Sequence, residues 1–298
     1  MIECIYRKIM RSKEPKTGIG LRSPGIANPE FFNYNKNSTK QREEFIMSEK
    51  IKVATYNVGD YTGIDIKHGS EESREAFRAV FEKIGADLWA LQEDVEFFNK
   101  ETKETAYDAF YSSIHKNYKR NYTGNYNGKA FLTSLPLTDV EPIKYTGDMK
   151  YRHPWYLTGK VTVGDKQITL ICLHFDWSDQ AVRAEEIRQM LLFAKEQEYC
   201  IIMGDFNPED YVDDGKKVSN RLFYKEELAR FQEIGFEPAN AGKFGTFDTI
   251  VHDSFSQISP CPFDNILVTP NIEITAAGRG CENWMNDHAL VWAELTIN

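Results

Sequence analysis

Five apolar runs in this 298-residue chain give way to side chains capable of chemistry. IKVATY ends in Asn57, LWALQ in Glu93 and Asp94, and ITLICL in His174. CIIMG ends in Asp205, with Asn207 two residues on. Near the C-terminus Asp264 follows Pro262 and Phe263, and Asp287-His288 leads into ALVWAEL. Strand ends open onto loops, where catalytic groups are usually displayed. Taken singly, each residue has a plainer reading: Asp or Asn after a strand is ordinarily a turn residue, and a lone His is ordinarily structural. Together they supply amides, carboxylates and imidazoles, the groups that hold a hard cation and move protons. No serine or cysteine nucleophile motif accompanies them.

The elements that must position these groups alternate between strand and helix. Strands are predicted at 51–56, 88–92, 129–134, 156–163, 167–173, 199–204, 263–269 and 289–296. A helix is predicted at 71–84, with Ser70 as cap, Ala76, Phe77, Val80, Phe81 and Ile84 as its apolar stripe, and Gly85 as its stop. Residues 180–196 read as a second amphipathic helix with Val182, Ile187, Met190, Leu191 and Ala194 inward. Helices are also expected at 104–114 and 221–234. Hairpin-like strand pairs among occasional helices argue against a simple parallel sheet.

Composition narrows the class. The net charge is −9; residues 1–46 hold nine Lys/Arg and five Asp/Glu, leaving −13 for the remainder. So acidic a domain is a poor match for sequence-blind binding to a phosphate backbone and a natural one for carboxylates gathered around a cation. Residues 1–46, rich in Gly, Pro, Asn and Lys and without periodicity, read as a flexible N-terminal extension. Residues 47–298 form the expected domain, with Met47 a second possible start. No run approaches a membrane span, and the basic first residues lack the apolar core of a secretory signal. The five cysteines form no C-x-x-C pair, and Cys172 and Cys200 sit in apolar runs. Reduced thiols in a cytoplasmic protein are expected.

The ordered set of motifs resembles the endonuclease/exonuclease/phosphatase superfamily. That superfamily includes deoxyribonuclease I, exonuclease III-type repair enzymes, neutral sphingomyelinases and inositol polyphosphate 5-phosphatases. The resemblance runs from about Lys52 to Leu295. Thr55-Tyr56-Asn57 looks like the opening Asn motif, and Leu91-Gln92-Glu93 matches LQE. Asn127 to Ser134 resembles the G-x-A-x-L-S strand, and Leu173-His174 with Arg183 resembles the His motif. Gly204-Asp205-Phe206-Asn207 is GDFN unchanged, Phe263 to Leu267 stands for IDYIL, and Asn286-Asp287-His288 stands for SDH.

The resemblance implies a four-layer α/β/β/α sandwich of two mixed sheets and hydrolysis of a phosphoester with Mg2+ or Mn2+. It casts Glu93 as the principal metal ligand and Asp287 as a second, direct or through water, with Asn57 positioning Glu93, the metal or a phosphate oxygen. Asp205 becomes the general base, oriented by Asn207. His288, held by Asp264, contacts the phosphoryl group, and His174 donates to a phosphate oxygen or assists the leaving group. Arg152 is the candidate phosphate-binding arginine. The physics agrees: a divalent ion and imidazole donors offset the charge that makes a phosphodiester repel hydroxide.

Departures narrow the branch. Asn265 replaces the arginine of the inositol phosphatase pattern, and His174 replaces the Tyr-x-x-Asn of abasic-site endonucleases. Gly59 stands where some members carry an acid, with Asp60 one later. Trp155, Tyr156, Trp177 and Trp284 are open to two readings, rim aromatics that stack on a base or lipid, or ordinary packing. The basic loop from Lys116 to Tyr122 is open to phosphate contact or plain solvation. The expected activity is phosphodiester hydrolysis on a nucleic acid, small phosphodiester or lipid headgroup, with nucleic acid open but not favoured by the acidic domain. A phosphomonoesterase of a sugar or inositol phosphate is the alternative within the class. A catalytically inactive binding protein is the alternative outside it. A monomer is expected.

Overall fold

The computed structural model describes residues 49–59, 71–94, 119–122, 128–208, 210–211, 217–218, 221–241, 246, 263–280 and 288–298. The expected extension at 1–46, the helix at 104–114, and Ser70, Asp60, Trp284 and Asp287 lie outside these residues.

The apolar runs are continuous because their strands are buried on both faces. One set of alternate residues, among them Val53, Ala90, Phe131, Leu170, Cys172, Met203 and Ile266, fills the core between two sheets. In the first sheet Ala54, Tyr56, Trp89, Leu91 and Leu132 turn the other way and pack on Phe77, Val80 and Phe81 of helix α1 (Glu71–Ile84). In the second, Ile171, Leu173, Ile202 and Leu267 pack on Ile187 and Met190 of α2 (Gln180–Ala194) and Phe231 of α3 (Arg221–Glu233). Helix, sheet, sheet and helices thus make four layers, as expected.

The first sheet contains β1 (Glu49–Asn57), β2 (Leu88–Gln92), β3 (Lys119–Tyr122), β4 (Ala130–Thr133), β13 (Ile272–Arg279) and β14 (Val291–Ile297), in the order β13-β14-β1-β2-β4-β3. The second contains β5 (Leu137–Lys144), β6 (Trp155–Val163), β7 (Lys166–His174), β8 (Cys200–Asp205), β11 (Glu237–Pro238) and β12 (Asp264–Val268), in the order β11-β12-β8-β7-β6-β5. A short pair, β9 (Asp210–Tyr211) and β10 (Lys217–Val218), stands apart from both. The expected helix 71–84 is α1, and α1 stops where Gly85 takes φ +58° and returns its N–H to Phe81. Asp179 caps α2 by accepting from the N–H groups of Ala181 and Val182 at 2.9 and 3.2 Å. Among the described residues no helix is long and apolar enough to cross a membrane.

Register delivers the polar strand ends to one place. β1 and β2 are parallel with Asn57 opposite Gln92, so Asn57 and Glu93 leave the first sheet together. β7 and β8 are parallel with His174 opposite Asp205, and β12 runs antiparallel to β8 with Asp264 opposite Asp205. Gly204 permits this closeness: its φ is +154°, and a Cβ there would stand 2.1 Å from the Leu173 carbonyl oxygen.

Candidate functional site

Asn57 joins the two sheets. Its Nδ2 donates to Glu93 Oε1 and to Asp205 Oδ2, both at 3.1 Å, and lies 3.5 Å from His288 Nε2. The N–H of Gly59 donates to its Oδ1 at 3.0 Å, which fixes the amide's orientation. Glu93 sits at the open side, 40% exposed, while Asp205 is 1% exposed. Glu93 and Asn207 hold positive φ, 51° and 42°. Such conformations cost on the order of 1 kcal/mol each in a residue with a side chain and gather at functional sites.

Two imidazoles flank Asp205. His288 Nε2 is 3.6 Å from Asp205 Oδ2, and His288 Nδ1 is 2.9 Å from Asp264 Oδ2. His174 Nε2 is 3.5 Å from Asp205 Oδ2 and 3.8 Å from Glu93 Oε1. The second oxygen of Asp205 accepts the Asn207 N–H at 2.9 Å, and Asn207 Nδ2 donates to the Phe175 carbonyl at 3.1 Å. Burial pushes the Asp205 carboxyl up to about 7, aided by the charge of Asp264 and opposed by His288 and by hydrogen bonds from Asn57 and Asn207. Burial, then the charges of His153, Lys129 and His288, holds His174 well below the usual histidine range.

Asn57, Glu93, His174, Asp205, Asn207, Asp264 and His288 are therefore brought together. Arg152, on the loop that leads into β6, packs against the loop after His174. Its guanidinium lies 4.4 Å over the Trp177 ring and its Nε donates to Ser178 Oγ at 2.8 Å. Arg183 is fully buried, where it pairs with Glu227 at 2.8 Å and donates to the Asp176 carbonyl at 3.0 Å. Its position braces α2 against α3. The Asn265 amide is engaged by the backbone of Asn240. Tyr156 packs with Tyr145 and Phe193, which supports the packing reading for it.

Several residues were missed. His153 stacks on His174 with ring centroids 3.9 Å apart and planes 18° apart, and burial holds it down at about 3. Buried Thr246 accepts the Asp264 N–H on its Oγ1 at 2.8 Å and the Ala289 N–H on its carbonyl at 2.6 Å, so it draws Asp264 and His288 together. Lys129 and Glu186 are buried charges behind the site. The signal for Glu186 was present: with Val182, Met190 and Ala194 it falls on the inward stripe of α2. For His153 and Thr246 the sequence carries no comparable signal.

Asp205, Asp264 and His288 each offer a ligand atom, all within 4.8 Å of one another. Asp264 Oδ1 is buried with no hydrogen-bond partner among the described residues. Crowded, partly unsatisfied carboxylates with a half-exposed Glu93 at the opening suit a hard divalent cation.

The chain matches the model of the Endonuclease/Exonuclease/phosphatase family over residues 54–282. An endonuclease/exonuclease/phosphatase from Beutenbergia cavernae has a similar structure: TM-score 0.64, 15% identity, covering 84% of this chain and 72% of that one. A family protein from Bacteroides thetaiotaomicron gives TM-score 0.59 at 17% identity over 84% and 99% of the two chains. D. rerio TDP2, solved in complex with a single strand DNA product, gives 0.57 at 17% identity over 83% and 98%. At these identities the likeness shows a shared fold. No curated protein matches the chain. With more than half of its length under the family model, the chain belongs to the Endonuclease/Exonuclease/phosphatase family and is a metal-dependent hydrolase of phosphoester bonds.

Proposed function

We propose that this chain hydrolyses a phosphodiester with water as the nucleophile, with Mg2+ or Mn2+ as cofactor. The observation that carries the reading is Asp205, a buried carboxylate within 3.6 Å of two imidazoles and bonded to an amide from the opposite sheet. Asp205 takes the proton of the attacking water, and its raised affinity for protons suits that task. Asn207 holds Asp205 through its backbone N–H. Asp264 fixes the His288 ring so that Nε2 can donate to a phosphoryl oxygen, and His174 Nε2 serves a phosphoryl or leaving-group oxygen. Glu93 would hold the cation, with Asn57 positioning it and Asp287 a second ligand. The cation supplies neutralisation of phosphoryl charge. Arg152, stacked on Trp177, is proposed to meet a flanking phosphate or base at the rim.

A net charge of −9 supports a short or small substrate over duplex nucleic acid. The likeness to TDP2 bound to single strand DNA keeps a single-stranded end among the candidates. The thiols of Cys172 and Cys200, both buried and both pushed up by that burial, support a reducing, cytoplasmic setting. The test is turnover of bis-p-nitrophenyl phosphate with Mn2+, with and without EDTA, against D205A. Activity lost both in EDTA and in D205A supports the reading. Turnover of p-nitrophenyl phosphate but not of the diester would replace it with a phosphomonoesterase. Turnover of neither would favour a binding protein.

A further inference from the structure

The two imidazoles of the site are held in different ways. His288 is anchored at its edge: Nδ1 lies 2.9 Å from Asp264 Oδ2, and that bond fixes the ring. His174 has no such anchor. Its Nδ1 is buried with no hydrogen-bond partner among the described residues. Its Nε2 faces two carboxylates, Asp205 Oδ2 at 3.5 Å and Glu93 Oε1 at 3.8 Å. A neutral imidazole carries one N–H. The carboxylates in front assign it to Nε2, and Nδ1 is left as a bare acceptor. The hydrogen points into the site, yet no hydrogen bond at Nδ1 stops the ring from turning.

His153 covers that ring. The two imidazoles lie face to face, with centroids 3.9 Å apart and planes 18° apart. The His153 Nδ1 is also buried with no hydrogen-bond partner among the described residues, so that atom adds no bond to the contact. A flat neighbour this close admits the His174 ring in one plane; turning out of it would drive a ring edge into the facing ring. The chain places His153 in turn. Pro154 follows it and disfavours a helical backbone there, and the Pro154 carbonyl accepts the Tyr145 N–H at 2.9 Å. Arg152 donates from Nε to Ser178 Oγ at 2.8 Å, and its N–H reaches Asp176 Oδ2 at 3.4 Å. Asp176 Oδ1 accepts from the N–H groups of Ser178 and Asp179 and from Ser178 Oγ, at 2.7 to 2.9 Å. Residues 152–154 and the turn just beyond His174 are thus tied together beside the stack.

We propose that His153 is a positioning residue: its ring face, stacked on His174, holds the His174 Nε2–H on the side of Asp205 and Glu93, as the Asp264 hydrogen bond holds His288. His153 acts through His174 and not on substrate. The proposal rests on the phosphodiesterase reading for the part His174 plays in the reaction, and on the geometry alone for the stack.

The test compares H153F with H153L, each with His174 present and in an H174A background, by kcat and KM on bis-p-nitrophenyl phosphate with Mn2+. Both substitutions remove the imidazole nitrogens and keep an apolar side chain; only Phe keeps a flat face. With His174 present, H153L is expected to lose about tenfold in kcat with KM within about twofold, and H153F to stay within about threefold of wild type. H174A alone loses on the order of 100-fold, and H153L adds no further loss to it. H153F as slow as H153L, H153L as fast as wild type, or the same fractional loss from H153L with and without His174 overturns the proposal. If urea unfolding shows that H153L does not fold, H153A replaces it; failure of both to fold makes the ring a core contact and also overturns it. A second readout needs no turnover. In hydrogen–carbon correlation NMR spectra of the metal-free protein, the His174 ring protons are expected upfield under the His153 face, still upfield in H153F and moved downfield in H153L. His174 signals unmoved in H153L overturn the stack as the positioning contact. A wild-type protein that turns over no phosphoester, or H174A with wild-type kcat, sinks the functional reading alone, and the spectra still decide the stack.

Discussion

Asn57 and Asp205 lie 148 positions apart, yet the amide of one donates to the carboxylate of the other at 3.1 Å across the two sheets. The same amide nitrogen donates to Glu93, so one side chain sets the spacing between the proposed base and the proposed metal ligand. Replacing Asn57 by Leu removes both bonds and is expected to lower kcat about 100-fold with the fold retained. Asn57→Asp would crowd a third carboxylate into the same place and weaken turnover further at low metal. Steady-state kinetics across a Mn2+ titration checks both; near-wild-type kcat in Asn57→Leu would remove Asn57 from the site.

Thr246 is expected to matter despite its distance in sequence from every motif. Thr246→Val keeps the shape and strands the Asp264 N–H, which is worth about 1–3 kcal/mol of stability. Activity should fall with it, because Asp264 orients His288. Thr246→Ser should restore both. Thermal melts and kcat of the three proteins test this, and equal melts for Val and Thr would refute it.

Gly204→Ala places a methyl group against the Leu173 carbonyl oxygen, with φ at +154°. The clash sets the new Cβ against backbone that cannot swing aside, at the joint that sets His174 opposite Asp205. A loss of at least about 3 kcal/mol is expected, seen as a lower urea midpoint. A midpoint unchanged from wild type would mean that β7 and β8 do not pair in this register.

Asp205 gives a pH dependence with a definite sign. In the folded, metal-free protein it keeps its proton to about pH 7, against an ordinary value of 3.8. Between those values the folded state binds more protons than the unfolded state, so stability falls as pH rises through the window. D205N cannot take part. Its stability relative to wild type should therefore improve from about pH 4 to about pH 7, by up to roughly 4 kcal/mol, and then level off. Urea melts in EDTA at several pH values read this directly. A gap that does not change with pH contradicts it.

The proposed chemistry was legible where a continuous apolar run breaks on a polar residue. His174 and Asp205 stand out because each ends a buried apolar run, Ile168 to Leu173 but for Thr169 in β7 and Cys200 to Gly204 in β8, with a polar side chain that is itself buried. The bounds of α1 were legible because Phe77, Val80 and Phe81 repeat on one face and Gly85 must take positive φ. β5 escaped because it is a half-exposed strand at the edge of its sheet, with Pro142 and a register shift between Thr138 and Glu141. β13, also at an edge, is half exposed and shifts register between Ile274 and Ala276. His153 and Lys129 were not legible as parts of the site. Their placement depends on how the sheets stack, and no local spacing encodes that.

Crystals grown with Mn2+ and measured for anomalous scattering test the convergence of the two sheets on one cation-binding pocket most directly. A single strong peak against the Glu93 carboxylate, within the group formed by Asn57, Asp205 and His288, is the expected result. Manganese bound elsewhere, with no peak at Glu93, would contradict it.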